Sequence, residues 1–265
     1  MIFPVRRILV PDDFTPASRH TWAWARRFAA PDARLESLFV SNPPAAPVMG
    51  LPAPPLSPQA TDELRARMRE RRPDAGDWRV WENDPVAGIL RRARRADFVV
   101  VGTHGRTGLS RAVFGSVAEA VMHSAVVPVL AVRTAPQPVK TVLAPVNLAE
   151  YCYKGLLLGA EAAAFLGAQL VLVHVSPKGR RDGNPRFFIS GLIERLPAEL
   201  RARVRPRLLI HSGDPIEVIL AVSRSHGLTV LTAHRKSLLG DWVLGTTVER
   251  VIRHATGPVL AAPSA

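Results

Sequence analysis

The 265-residue chain repeats itself. Laid over itself at an offset of 130 without a gap, residues 84–131 match residues 214–261 at seventeen of forty-eight positions. Asp84/Asp214, Pro85/Pro215, His104/His234, Gly115/Gly245, Glu119/Glu249 and Pro128/Pro258 are among the identities. With short gaps the earlier parts follow: Ile8-Leu9-Val10-Pro11 lies over Val142-Leu143-Ala144-Pro145, and Leu38-Phe39-Val40-Ser41 over Val173-His174-Val175-Ser176. A repeat this long is a whole domain rather than a solenoid turn, and the length accommodates two domains of about 130 residues. The halves read as 1–133 and 139–265. Thr134–Pro138 between them is too short for independent tumbling, so close packing of the copies is expected.

Each copy alternates short apolar runs with helical periodicity, the pattern of βαβ units around a parallel sheet. In the first copy it predicts strands near 7–11, 35–40, 78–81, 97–101 and 127–132, and helices near 16–29, 60–72, 85–95 and 116–123. Phe98-Val99-Val100-Val101 does not alternate with polar residues, as expected of a strand covered on both faces. The expected fold is α/β: two tandem open parallel five-stranded sheets flanked by helices, Rossmann-like and related by a pseudo-two-fold. Asp84-Pro85 and Asp214-Pro215 are helix starts, a capping oxygen before a proline whose missing N–H is harmless in the first turn. The proline-rich 42–58 reads as a loop without regular structure. Trp22 and Trp24 read as packing residues.

The net charge of +13 is almost all arginine, the lysines being Lys140, Lys154, Lys178 and Lys236. Arg65, Arg67, Arg69, Arg71 and Arg72 read as a solvated helix face, so nucleic acid is not the expected partner. Binding of nucleic acid or an acidic protein through the basic surface stays as a third reading, one that would collapse with salt. No run approaches the roughly 18 apolar residues of a membrane span, and charges interrupt the amino-terminal stretch where a secretory signal needs an apolar core. Cys152, alone in its type, excludes an internal disulfide and reads as a packed side chain. A cytoplasmic protein is expected.

The most informative segment runs Val101-Gly102-Thr103-His104-Gly105-Arg106-Thr107-Gly108 and on to Gly115-Ser116-Val117. It leads from a buried strand into a helix, at the strand end where open α/β sheets bind ligands. Glycines there permit positive φ and close backbone approach. Ser116 is a candidate N-cap, and the free amides of the first helical turn form an anion site. No GxxxxGK[ST] occurs, which excludes a P-loop enzyme. Structural roles compete with these: a tight turn for Gly102 and Gly105, a helix cap for Asp13, and for His104 a hydrogen-bonding role shared with His234.

Gly102-x2-Gly105-x9-Gly115-Ser116 resembles the nucleotide motif of the universal stress protein (UspA-type) family, and Ile8-Leu9-Val10-Pro11-Asp12-Asp13-Phe14-Thr15 resembles its first strand and acidic turn. Asp97 before the fourth strand also fits. The resemblance spans essentially the whole chain as a tandem member. It implies an ATP-binding regulator of stress responses, with ADP and AMP not separable from ATP and with Mg2+ as a companion of the phosphates. Pro11, Asp12, Asp13, Phe14, Thr15 and Val40 would then border adenine and ribose, and Gly102, Thr103, His104, Gly105, Arg106, Gly115, Ser116 and Val117 would hold ribose and phosphates. An enzyme is not expected beyond weak ATP hydrolysis. A slow hydrolase or ATP-using enzyme is the alternative, with Asp12, Asp13 and His104 as its candidate acid–base groups. The family also implies antiparallel pairing of the last strands, here Val127–Val132 with Pro258–Ala262; a homodimer and a protein partner are left open.

The second copy departs from the motif. Thr232 and Arg235 replace the first two glycines, Gly245-Thr246 keeps the helix start, and Val146-Asn147 replaces Asp12-Asp13. A side chain forced into left-handed φ costs roughly 1–2 kcal/mol, so weak or absent binding is expected there. Arg235 and Lys236 serving a differently placed anion is the contrary reading.

Overall fold

The computed structural model describes residues 1–15, 18–41, 55–103, 115–177, 183–232, 235–238, 241–244 and 246–263. The first copy runs β1 (Val5–Pro11), α1 (Ser18–Phe28), β2 (Ala29–Ser41), α2 (Pro58–Arg71), β3 (Asp77–Glu82), α3 (Pro85–Ala93), β4 (Phe98–Gly102), α4 (Ser116–Ser124) and β5 (Val129–Val132). The second runs β6 (Thr141–Pro145), α5 (Cys152–Leu166), β7 (Gln169–Ser176), α6 (Pro185–Glu194), α7 (Ala198–Val204), β8 (Arg207–Ser212), α8 (Pro215–Ser223), β9 (Leu228–Thr232), β10 (Arg235–Leu238), β11 (Asp241–Leu244), α9 (Thr246–His254) and β12 (Val259–Ala262).

Each copy supplies five parallel strands, and the two sets join edge to edge in one sheet of order β3-β2-β1-β4-β5-β12-β9-β6-β7-β8. The join is antiparallel, with Val259 opposite Ala131, Leu260 opposite Leu130 and Ala261 opposite Val129. Strand alternation then sorts the core into two layers. Ile8, Val10, Phe98 and Val100 meet Trp22, Ala25 and Phe28 of α1 on one face. Leu9, Val99 and Val101 meet Ile89, Ala93 and Val121 of α3 and α4 on the other. Burial on both faces explains why β4 carries an unbroken apolar run.

Three local differences from the expected elements have physical reasons. β2 starts at Ala29 rather than near 35, because a register shift between Val5 and Arg7 lets Ala29 pair with Val5 while Arg34 pairs with Arg7. Residues 42–54 of the expected loop lie outside the described residues, but Pro58 is helical: it is the first residue of α2, and Ser57 caps that helix by accepting from the Ala60 amide at 3.1 Å. A proline at the first helical position forfeits no hydrogen bond. In the second copy α6 and α7 replace the single helix α2, and β10 and β11 form a separate antiparallel pair with Arg235 opposite Leu244.

Trp22 and Trp24 are packing residues, as their spacing predicts. Both are buried, and the Trp24 indole donates to the Thr134 carbonyl at 2.9 Å. With Arg27 donating to the Gln137 carbonyl at 2.7 Å, α1 holds the inter-copy connection against the first copy.

Candidate functional site

The chain reverses its direction of travel across the sheet between β1 and β4. From β1 it passes through α1 to β2 on one side, whereas α3 delivers β4 to the other side. Helices leaving on opposite faces part the strand ends at such a switch. β1 and β4 are paired only at Ile8–Phe98 and Leu9–Val99. Beyond those rungs Val10 and Pro11 stay with Ser37 and Leu38 of β2, while Val100, Val101 and Gly102 follow β5. A crevice therefore opens between Pro11 and Gly102.

The start of α4 is tied to that crevice. Thr103 donates its amide to the Val132 carbonyl at 3.1 Å, and the Gly115 amide donates to the Thr103 carbonyl at 2.6 Å. Gly115 is the N-cap, at φ −65°, and among the described residues no side chain caps the helix. Ser116 is thus the first helical residue, not the cap the sequence predicts; Gly115 takes that place, its amide bonded to the Thr103 carbonyl just past β4. The amides of Ser116, Val117 and Ala118 have no intrahelical acceptor, and the helix end carries about half a positive charge. His104, Gly105 and Arg106 lie outside the described residues.

The β1–α1 turn forms the opposite wall. Asp13 accepts from the Thr15 amide at 3.0 Å and the Thr15 hydroxyl at 2.6 Å, holding the turn as a side-chain-closed loop rather than capping α1 directly. Asp12 is buried and accepts from the Phe14 amide at 2.8 Å. Phe14 takes φ 63°, and its ring leaves the crevice to pack on Phe39, centroids 4.8 Å apart, and on Met68. Val40 sits against Gly88 of α3, where a Cβ would meet its methyls at 3.1 Å. By strand alternation Pro11 and Val40 lie on the sheet face that carries α3 and α4.

The arginines Arg71 and Arg72 were expected on a solvated face; the structure places them beneath this turn. Arg72 is 5% exposed, its Nη2 donating to the Ser18 carbonyl at 2.7 Å and lying 3.2 Å from Asp12 Oδ2. Arg71 Nη2 donates to the Thr15 carbonyl at 3.1 Å and the Ser18 hydroxyl at 2.8 Å. Burial pushes the Arg72 guanidinium below its ordinary value, and Asp12 pulls the other way. Nothing in the local spacing of α2 separates these two from Arg65, Arg67 and Arg69.

Gly102 does not take a positive φ, and a Cβ there would point at α1, meeting Thr21 Cγ2 at 3.5 Å, an ordinary contact. The second copy inverts this pair. Thr232 occupies the strand end and Gly155 the facing helix position, where a Cβ would come within 2.2 Å of Thr232 Oγ1. Thr232 is a paired, buried strand residue outside the left-handed region. The strain expected from its replacing a glycine is therefore absent; the exchange is one of packing. In the β6–α5 turn Cys152 Sγ donates to Asn147 Oδ1 at 2.6 Å, and the Asn147 side-chain amide nitrogen reaches the Tyr151 hydroxyl. Burial pushes the Cys152 thiol up, in keeping with a packed side chain. Among the described residues no group of three or more His, Cys, Asp or Glu could hold a metal.

A duplicated open-sheet α/β protein with its cleft at a strand switch is the class that fold and site define. Both halves of the chain, residues 4–133 and 138–263, match the universal stress protein family, and the chain belongs to that family. A universal stress protein of Methanocaldococcus jannaschii is 31% identical over 144 residues, 48% of this chain and 82% of that protein. A Na(+)/H(+) antiporter of Synechocystis is 28% identical over 170 residues, 62% of this chain but only 24% of its own length. A universal stress protein structure from Archaeoglobus fulgidus superposes with a TM-score of 0.74 at 20% identity, covering 98% of both chains. No described helix is long and apolar enough to cross a membrane.

Proposed function

We propose that the chain is a cytoplasmic regulator that binds an adenine nucleotide, ATP in the first instance, in its first copy. The carrying observation is the parting of β1 from β4 beside a helix start whose first-turn amides no side chain caps among the described residues. Phosphates would lie on the amides of Ser116, Val117 and Ala118, with Mg2+ bound through them, and the base would lie between Pro11 and Val40 on the same sheet face. The second copy serves as a scaffold, with Thr232 and Arg235 in place of the first two motif glycines and Val146-Asn147 in place of Asp12-Asp13. Nucleotide binding would alter the docking of a protein partner, with hydrolysis incidental.

The test is thermal unfolding of the full chain with millimolar ATP, paired with Gly115→Asp. A micromolar site at thousandfold excess gains about 4 kcal/mol. Aspartate is a favourable N-cap, so the variant should fold, yet its carboxylate would stand where phosphate binds. A shift in the unmodified protein that the variant lacks supports the reading. No shift in either would falsify it.

A further inference from the structure

We infer that Arg72, with Asp12 and Arg71, is a positioning group for the nucleotide site: the three lock the β1–α1 turn so that Asp13 and Thr15 are presented in one fixed arrangement. This rests on the nucleotide reading of the first copy.

The arrangement is costly for a merely structural device. Phe14 holds a left-handed φ that is strained for a bulky side chain, and such residues persist only where the surroundings over-determine them. Here Asp12 fixes the Phe14 amide, Arg71 grips the Thr15 carbonyl, and both arginines grip Ser18 at the start of α1. The turn is held at both ends by the last residue of α2 and its C-cap. Two cations are placed under one carboxylate. Arg71 Nε, Arg72 Nε and Asp12 Oδ2 are buried without hydrogen-bond partners, the 3.2 Å approach of Arg72 to Asp12 being an ion pair poorly aligned for a hydrogen bond.

The second copy shows that the fold does not require any of this. It makes the same strand-to-helix passage with buried Val146 in place of Asp12 and Leu148 in place of Phe14, and Leu148 has no positive φ. The same half-fold is reached with apolar residues and no strain. What the first copy gains is a turn that cannot relax, plus positive charge behind Asp12 and Asp13 that offsets their repulsion of a polyphosphate.

The test is calorimetric titration of the full chain with ATP, alongside amide hydrogen exchange at Phe14 and Thr15. Asp12→Val with Arg72→Met removes both members of the ion pair and puts at position 12 the residue the second copy has at Val146. Replacing both partners of a buried pair by apolar residues is often neutral for stability, so the variant is expected to keep its Tm, to exchange faster at both amides, and to bind ATP about tenfold or more weakly, a loss of roughly 1.4 kcal/mol. Arg72→Lys keeps the charge but cannot reach Ser18 and Asp12 together, and should show the same two changes to a smaller degree at unchanged Tm. It decides the matter if the double variant fails to fold. Unchanged affinity and exchange in the folded variants overturns the inference alone. No ATP binding by the unmodified chain overturns the nucleotide reading and the inference with it.

Discussion

At the scale of single residues, the Thr21/Gly102 and Gly155/Thr232 pairs show how two diverged copies keep one packing distance between helix and strand. Gly155→Ala should be poorly tolerated, because the added carbon would fall 2.2 Å from Thr232 Oγ1. Overpacking of this kind costs about 1–3 kcal/mol. Combined with Thr232→Gly, the pair should recover most of the loss, and a double-mutant cycle in urea should return a favourable coupling. Gly102→Ala, by contrast, should leave stability nearly unchanged, since the new carbon meets only Thr21 Cγ2 at 3.5 Å. The glycine spacing was visible in the sequence and located the site. Its meaning at 102 was not, because the partner that explains it lies 81 positions away on another element. The placement of Arg71 and Arg72 beneath the turn was hidden for a related reason: five arginines within eight residues read as solvent-facing until β1 and α1 are laid over the end of the helix.

At the scale of elements, β1 and β4 are joined by few rungs and depend on a side-chain clasp. Arg7 donates to both carboxylate oxygens of Asp97, by Nη2 at 2.6 Å and Nε at 3.1 Å, and the Asp97 amide returns a bond to the Arg7 carbonyl at 2.9 Å. The Arg7 guanidinium holds the Asp97 carboxyl below its ordinary range, mainly through the hydrogen bond. A carboxylate depressed in the folded state contributes stability that is complete above its unfolded pKa and is lost as pH falls through the folded one. Asp97→Asn should therefore lower Tm only modestly at neutral pH, since Arg7 is exposed and solvent screens the pair. The gap to the parent should close as the pH falls through the depressed Asp97 pKa, which thermal melts across pH would show; a gap that persists in strong acid rules out the ion pair as its source. Strand and helix order in the first copy was readable from periodicity alone, since buried parallel strands and amphipathic helices have different periods. The β10–β11 pair was not, because Arg235-Lys236-Ser237-Leu238 carries no alternating apolar signal and its pairing partner follows only three positions on.

At the scale of the whole molecule, the duplication has produced one body rather than two beads. β5 and β12 lie in the middle of the sheet with all four residues of each buried, and the core layer on the α1 and α5 side runs without a break from Phe28 and Phe98 through Leu130 and Leu260 to Leu172. Phe3 and Phe28 of the first copy stack on Phe165 of α5, at 5.8 and 6.0 Å, and Arg253 of α9 reaches Glu119 of α4 at 2.9 Å. Cutting the chain at its seam would expose two unpaired strand edges and the aromatic layer, surfaces that drive association. Folding of the two copies should accordingly be coupled. Urea unfolding of the full chain should follow a single transition, superimposable by tryptophan fluorescence, which reports Trp22, Trp24, Trp78 and Trp81 of the first copy along with Trp242 of the second, and by circular dichroism, which reports both copies. Leu260→Asp, a second-copy change at a fully buried seam position, should lower the stability seen by both probes together, by roughly 4 kcal/mol or more as befits an unpaired buried charge. Two resolved transitions, or a variant whose fluorescence transition stays in place while its dichroism shifts, would mean that the copies fold independently and that the seam is an adhesion between finished domains. With one transition, a ligand bound only in the first copy stabilises the second as well, because neither half unfolds without the other.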